Sequence, residues 1–128
     1  MPPAVTDLTS SGYNISIPLG DELYDLVAEK NGVFYRVQVK TASKRNDRDS
    51  AVAQIKRSSR DVGNGDQRLY DANSFDILAV WAKPYDDVAY KAWDEPVWSF
   101  TIRDEPAANG CGNVVDDYTM ERATERLK

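Results

Sequence analysis

The chain contains no histidine and a single cysteine, Cys111, and these shortages exclude several kinds of chemistry. A Ser-His-Asp triad, a Cys-His pair, a histidine-based nuclease and a zinc site made of cysteine and histidine all need residues that the chain lacks. A disulfide within the chain needs a second cysteine. Cys111 lies between two glycines, so we interpret it as a loop thiol without a catalytic role. Any chemistry must come from carboxylates, amides, lysines or a bound hard metal ion.

Long apolar runs are missing as well. No window approaches the roughly 18 apolar residues that a membrane span requires, and the N-terminus has neither the basic start nor the apolar run of a secretion signal. The 128 residues suffice for one domain, and 41% hydrophobic residues with three tryptophans suffice for its core. We therefore expect one soluble, cytosolic domain over residues 1–128, without a membrane partner.

The charge is negative overall but unevenly distributed. A formal charge of −5 argues against a nucleic-acid partner, yet residues 36–60 contain eight basic and two acidic residues, a net +6 that leaves −11 on the rest. A basic segment can contact a phosphate backbone on an acidic protein, although from charge alone a solvated basic loop is an equal alternative. The 15 aspartates against 6 glutamates and 7 lysines are a balance typical of a protein that works at high salt.

Apolar patterning predicts strands first and one helix last. The predicted strands cover residues 13–17, 23–29, 33–40, 75–81, 88–93 and 97–102. The strand at 75–81 is apolar on both faces, as expected for a central strand, whereas residues 51–56 form either a strand or a helical turn. Residues 118–127 are predicted to be a helix, with Asp116 and Asp117 as candidate N-caps.

The pair Asn-Gly at residues 31–32 is the strongest short hairpin signal, and it sets a register. A two-residue turn there makes paired positions sum to 63, so Asp25 lies opposite Gln38. Because strand side chains alternate, Lys40 shares the face of Gln38, with Arg36 on the same strand close to Asp25. The other face carries an apolar set for the core: Tyr24, Leu26, Ala28, Tyr35, Val37 and Val39.

An aspartate, an amide and a lysine at adjacent hairpin positions suggest a magnesium site, because a hard divalent cation takes oxygen ligands. Asp25 would supply a charged oxygen, Gln38 a neutral one and the carbonyl of Val39 a third. Lys40 would orient or deprotonate a water that attacks a phosphodiester, or neutralise the charge that develops on the phosphorane. The alternative is a solvent-facing strand pair joined by an Asp25–Lys40 salt bridge of about 0 to 1 kcal/mol.

Two motifs resemble a known family. The chain carries P-x-G-D-x-x-x-D-L at residues 18–26 and Q-V-K-T at residues 38–41, which resemble the PD-(D/E)xK nuclease superfamily, where an Asp and a (D/E)xK tripeptide lie on neighbouring strands. The Q-x-K form, G-Y-x-x-x-x-P at residues 12–18, Y-x-x-x-x-F-D-I-L-A-V at residues 70–80 and the helix at 118–127 look like the branch that contains a cyanobacterial group I intron homing endonuclease.

The resemblance implies a fold and a set of catalytic roles. The expected fold is α/β: a restriction-endonuclease-like mixed sheet flanked by helices, with the first helix short or missing because eleven residues precede Gly12. Asp25 would be the metal-binding acid, Gln38 would replace the usual second acid, and Lys40 would be the catalytic lysine. The implied cofactor is Mg²⁺, with Mn²⁺ as a substitute. The family's glutamate on the first helix has no counterpart, because Asp7 is the sole acid there.

The resemblance also implies DNA as the partner and a homodimer or homotetramer, so that both strands are cut. The candidates for DNA contact are the basic residues after the Q-x-K motif, namely Lys44, Arg45, Arg48, Lys56, Arg57 and Arg60. Asp76 is an accessory candidate at the head of the central strand, where it either helps to position the site or caps the strand. Because Gln38 is neutral, metal affinity should fall. Two alternatives follow: either a partner subunit or a DNA phosphate supplies further ligands to the metal, or the protein has lost catalytic activity.

These observations lead to two function hypotheses. The first is a metal-dependent DNA endonuclease that hydrolyses phosphodiester bonds, of homing-endonuclease or junction-resolvase type, encoded by a virus or mobile element. The second is a catalytically impaired DNA-binding or assembly protein on the same scaffold. A third interpretation, an unrelated acidic α/β domain without a nucleic-acid role, also stays open. No predicted helix has the pattern of a DNA-recognition helix, so the sequence does not predict a DNA target.

Overall fold

The computed structural model describes residues 3–20, 23–44, 50–57, 68–105 and 112–128, and of residues 56, 57, 68 and 69 only the backbone. In chain order, the helices and strands are α1 Pro3–Ser10, β1 Asn14–Ser16, β2 Leu26–Lys30, β3 Val33–Lys44, β4 Ala51–Gln54, β5 Lys56–Arg57, β6 Arg68–Leu69, β7 Ile77–Ala82, β8 Asp87–Ala92, β9 Ser99–Ile102 and α2 Met120–Arg126. Two short 3-10 helices, Lys83–Tyr85 and Val115–Asp117, follow β7 and precede α2.

The main sheet is mixed and has seven strands. Its order is β1-β2-β3-β4-β9, with β7 parallel to β3 and β8 antiparallel to β7. The 12-residue β3 connects the sheet, because it pairs with β2 in its first half, with β7 in its middle and with β4 at its end. Strands β5 and β6 form a separate two-stranded sheet. An α/β fold with a mixed sheet and helices was expected, and the structure confirms it.

The β2–β3 hairpin has the predicted register. Its pairs run from Lys30 with Val33 to Leu26 with Val37, all summing to 63. Both turn residues have positive φ, 55° at Asn31 and 81° at Gly32, as a two-residue hairpin turn of this kind requires. The strand predicted from residue 23 begins only at Leu26.

Both helices pack on one face of the sheet. The helix-side cluster, formed by buried residues of α1, α2 and the facing strands, includes Ala4, Leu8, Leu26, Ala28, Val37, Ile77, Ala79, Tyr90, Ala92, Met120 and Ala123. The aromatic cluster on the other face includes Ala42, Ile55, Tyr70, Phe75, Leu78, Val80, Trp93, Phe100 and Ile102. The central strand β7 contributes to both clusters, which confirms that it is buried on both faces. Neither described helix is long and apolar enough to cross a bilayer.

The first helix is present but short, which confirms what the resemblance implied, whereas the order of strands first and one helix last, predicted from apolar patterning, was wrong. α1 has only eight residues and a weak sequence signal, because its stability comes from tertiary contacts. Ala4 and Leu8 are fully buried, and the hydroxyl of Tyr90 donates a 2.6 Å hydrogen bond to Oδ2 of Asp7. Burial raises the pKa of Tyr90 far above its ordinary value, so this hydroxyl remains a donor.

Two local predictions were also wrong. α2 is capped by Thr119, whose side chain accepts from the Arg122 amide at 3.2 Å, while Asp116 and Asp117 lie in the preceding 3-10 helix. Tyr24 packs against the aromatic cluster rather than with Leu26, because it precedes β2 and strand alternation does not extend to it. The ambiguous segment at residues 51–56 is extended, and β4 pairs with β9.

Candidate active site

Asp25 lies directly before β2, where the hairpin backbone holds it at both its amide and its carboxylate. Its amide donates to the Val37 carbonyl at 2.9 Å, and its Oδ2 accepts from the Val39 amide at 2.9 Å. The N–H and C=O of one strand residue point to the same side, so the Val39 carbonyl also lies on the Asp25 side of β3. Within the described ranges, Oδ1 of Asp25 makes no hydrogen bond. One carboxylate oxygen is therefore available beside a backbone carbonyl.

Gln38 is a buried polar residue in the middle of β3. It is 7% exposed and pairs in register with Leu78 of the neighbouring strand β7. Among the described residues its side-chain amide has no hydrogen-bond partner. A buried polar group left unsatisfied costs about 1 to 3 kcal/mol, and in native proteins such a group calls for an explanation, for example a water or an ion.

Lys40 follows Gln38 on the same face of β3 and is partly buried. Its Nζ lies 5.5 Å from the centroid of the Tyr70 ring. The four ion pairs within the described part of the chain do not include Asp25 with Lys40. The alternative of a solvent-facing salt bridge therefore does not describe this hairpin, because Asp25 binds the β3 backbone, Lys40 contacts an aromatic ring and Gln38 is buried.

Asp76 holds the start of β7 to β3 through Arg36. Its Oδ2 accepts from the backbone amide of Arg36 at 2.8 Å and from Nε at 3.3 Å, and its Oδ1 accepts from Nη2 at 3.2 Å. The hydrogen bond with Asp76 raises the pKa of the Arg36 guanidinium. The Asp76 amide donates to the Arg36 carbonyl at 2.9 Å. With its carboxylate occupied in this way, the geometry favours the strand-capping interpretation of Asp76.

The predicted DNA contacts lie only partly in the described structure. Lys44 ends β3 and is exposed, on the same face of the strand as Lys40. Lys56 and Arg57 form β5, of which the backbone alone is described. The remaining predicted contacts lie outside the described residues; they are Arg45, Arg48 and Arg60.

The donors at this site suit a hard cation but carry little charge. Asp25 offers one carboxylate oxygen, Val39 a carbonyl, and Gln38 an amide that has no partner in the described ranges; their oxygens are ligands of the kind that Mg²⁺ takes. No group of three or more Cys, Asp or Glu that could hold a metal exists in the described ranges. Asp7 is bound to Tyr90 on the helix side of the sheet. The residues therefore fit an ion that keeps waters or substrate oxygens as further ligands.

The structure adds two contacts that reasoning from the residues missed. Tyr70 lies against Lys40, and Asp76 pairs with Arg36. For the contact of Tyr70 with Lys40, the available signal was that Tyr70 begins the motif at residues 70–80. For the pair of Asp76 with Arg36, the sequence had placed Asp76 at the start of the central strand but had not identified its partner.

Comparison with known proteins agrees with this fold. The family model described as PD-(D/E)XK endonuclease matches residues 3–119. Protein 5.3 of Escherichia phage T7 is 35% identical over 88 residues, which cover 68% of this chain and 69% of that protein. The bacterial homing endonuclease I-Ssp6803I superposes with a TM-score of 0.63 at 26% identity, over 72% of this chain and 63% of that one. The chain thus spans less than two thirds of that structure, and its fold is restriction-endonuclease-like. With the family match covering most of its length, the chain belongs to the PD-(D/E)XK endonuclease family.

Proposed function

We propose that the chain is a metal-dependent DNA endonuclease that hydrolyses phosphodiester bonds, of homing-endonuclease or junction-resolvase type. Asp25, Gln38 and Lys40 are its catalytic residues. The observation that carries the proposal is the buried amide of Gln38, which has no hydrogen-bond partner among the described residues and lies next to Lys40 on a hairpin that also holds the carboxylate of Asp25. A buried polar group without a hydrogen-bond partner calls for an explanation, and an ion or a water bound at a catalytic site is one such explanation.

The cofactor in this proposal is Mg²⁺, with Mn²⁺ as a substitute. Asp25, Gln38 and the Val39 carbonyl would hold it. When bound, such an ion polarises a phosphate oxygen and lowers the pKa of a water. Asp25 would orient the ion through the oxygen that the Val39 amide leaves available. Lys40 would supply a positive charge and hydrogen-bond donors to the oxygens on which charge develops during phosphodiester hydrolysis.

The substrate in this proposal is DNA, and the active form is a homodimer or homotetramer, because one site cuts one strand and two sites are needed to cut both. Lys44 continues the face of Gln38 and Lys40 towards the exposed end of β3, and in this proposal it would contact a backbone phosphate. The phage protein among the relatives supports a virus- or mobile-element-encoded protein that acts in the cytoplasm of its host.

A second function is favoured by the low charge of the site. In the described part of the chain no cluster of three acids supports a metal, and Gln38 replaces a charged ligand by a neutral one. A DNA-binding or assembly protein with impaired catalysis, built on the same scaffold, would keep this fold and lack efficient cleavage. The two functions differ in whether the wild-type protein cuts DNA.

The test is cleavage of labelled duplex, single-stranded and four-way-junction DNA with Mg²⁺, Mn²⁺ or EDTA, for the wild type and for Asp25→Asn. We expect metal-dependent cutting that EDTA abolishes and that Asp25→Asn lowers by about 10²-fold or more, because the site loses its anionic ligand. The fold should survive, since an asparagine oxygen can still accept from the Val39 amide at the position where Oδ2 now does.

Asp104→Asn is the matched control, because Asp104 is an exposed aspartate after β9, and it should cut like the wild type. If the wild type binds these DNAs and cuts none of them, the second function is correct. Cleavage that is equal with EDTA and with Mg²⁺ would contradict the metal-dependent mechanism.

A further inference from the structure

Residues 70–76 contact the candidate catalytic face of β3 at two places. At one end the Tyr70 ring lies 5.5 Å from Nζ of Lys40. At the other end the Asn73 carbonyl accepts from Nη1 of Arg36 at 3.0 Å, and Asp76 binds the same guanidinium. Gln38 lies between Arg36 and Lys40 on the same face of β3. The segment thus reaches both sides of the glutamine.

The ring of Tyr70 is held rigidly. It is 5% exposed and meets Phe75 edge to face, with centroids 5.3 Å apart. Phe75 stacks on Trp93 at 4.9 Å, and the Trp93 indole N–H donates to the Asp71 carbonyl at 2.9 Å. Asp71 is the next residue after Tyr70, so Trp93, the last ring of this series, is hydrogen-bonded to the backbone beside the first ring. The tyrosine ring cannot turn away from Lys40 without disturbing the aromatic cluster.

The ammonium of Lys40 needs a partner that the rest of the described structure does not supply. It is partly buried and forms no ion pair within the described ranges. Two residues before it, Gln38 is neutral. The face of an aromatic ring carries the negative part of its quadrupole, and it attracts a cation within about 6 Å, more strongly when water is excluded. The Tyr70 ring meets these conditions.

We propose that Tyr70 is a positioning residue that holds the Lys40 ammonium by the face of its ring, as a carboxylate would, in the orientation used for phosphodiester hydrolysis. The holding contact stands on the geometry above, while its catalytic consequence rests on the proposed function. The contribution comes from the ring, so phenylalanine at this position should retain it and leucine should not.

The contact itself is tested by NMR on the metal-free protein. We expect the ε-methylene protons of Lys40 to be shifted upfield by the ring current in the wild type and in Tyr70→Phe, and to return to the values of an exposed lysine in Tyr70→Leu. Lys128, which is exposed at the C-terminus, is the internal reference. Equal Lys40 shifts in the wild type and in Tyr70→Leu would overturn the contact.

The catalytic consequence is tested with phenylalanine, 4-fluorophenylalanine and 3,4,5-trifluorophenylalanine incorporated at position 70. Fluorine weakens the attraction for a cation and nearly preserves the shape of the ring. We expect the cleavage rate to fall stepwise, by roughly tenfold over the series, with the melting temperature and the DNA affinity in Ca²⁺ unchanged. If the ring were merely structural, the cleavage rate would be the same for all three residues, and that result would overturn the positioning role.

The two proposals fail in different ways. A wild-type protein that cuts no DNA with any metal overturns the proposed function and the catalytic part of this inference, while the Lys40 shifts, measured on the same protein, decide the holding contact by themselves. A wild type that cuts DNA at a rate independent of fluorination upholds the nuclease and overturns only the role of Tyr70.

Discussion

Replacing Lys40 by alanine is expected to lower DNA cleavage by about 10³-fold while leaving DNA affinity almost unchanged. The reason is that a positioned charge or proton-transfer group contributes about 10²- to 10⁴-fold to the chemical step, whereas one phosphate contact among several adds little to binding. Removing this side chain also takes away its contact with the Tyr70 ring, but no side-chain hydrogen bond to another described residue is lost. Cleavage in single turnover and binding in Ca²⁺, measured on the same DNA, separate the two effects.

Lys128→Ala is the matched control, because it removes an equal charge at an exposed position. It should bind and cut like the wild type. A Lys40→Ala protein that cuts at more than about a tenth of the wild-type rate would show that this lysine does not carry the chemistry, because that loss is smaller than a catalytic group supplies. A large loss of DNA binding in the same variant would reassign Lys40 from the chemical step to affinity.

Phe75→Ala is expected to lower the free energy of unfolding by about 3 to 5 kcal/mol. Phe75 is fully buried and touches both Tyr70 and Trp93, so its removal leaves a cavity whose walls are rigid rings. The total free energy of unfolding of a domain is about 5 to 15 kcal/mol. The variant should therefore unfold at a much lower urea concentration than the wild type. Urea unfolding followed by tryptophan fluorescence measures the loss.

Phe34→Ala is the control for that experiment, since Phe34 is 67% exposed at the start of β3. Its removal should change the free energy of unfolding by less than about 0.5 kcal/mol. Equal effects of the two substitutions would contradict the packing described for the aromatic cluster.

Features that depend on neighbouring residues could be predicted from the sequence. The Asn-Gly turn at residues 31–32 imposes positive φ at both positions and so sets the hairpin register. The register holds from Lys30 to Leu26. Asp25 precedes β2, and its amide and carboxylate bind the backbone of Val37 and Val39, so its predicted pairing with Gln38 stays a prediction. The central strand was identified because Ile77–Ala82 is apolar on both faces, which a strand buried between two clusters requires.

Short elements that depend on distant contacts were missed or misplaced. α1 is too short to be stable by its own propensity, and its docking through Leu8 and the Asp7–Tyr90 hydrogen bond joins residues 83 positions apart. Asp116 and Asp117 were mistaken for the N-cap of α2, which is Thr119. Aspartate and threonine are both favoured N-cap residues, so residue type alone does not identify where the helix begins.

The sequence by itself determined the hairpin register and the family resemblance, and it predicted the residues of the candidate site, because each rests on residue identity or on contacts between near neighbours. The tertiary structure decided what surrounds the site. Parallel pairing of β3 with β7 brings the segment at residues 70–76 to Lys40 and Arg36, and it buries Gln38. Such pairings join residues 30 to 40 positions apart. No local pattern encodes them, because they arise from the packing of the whole sheet.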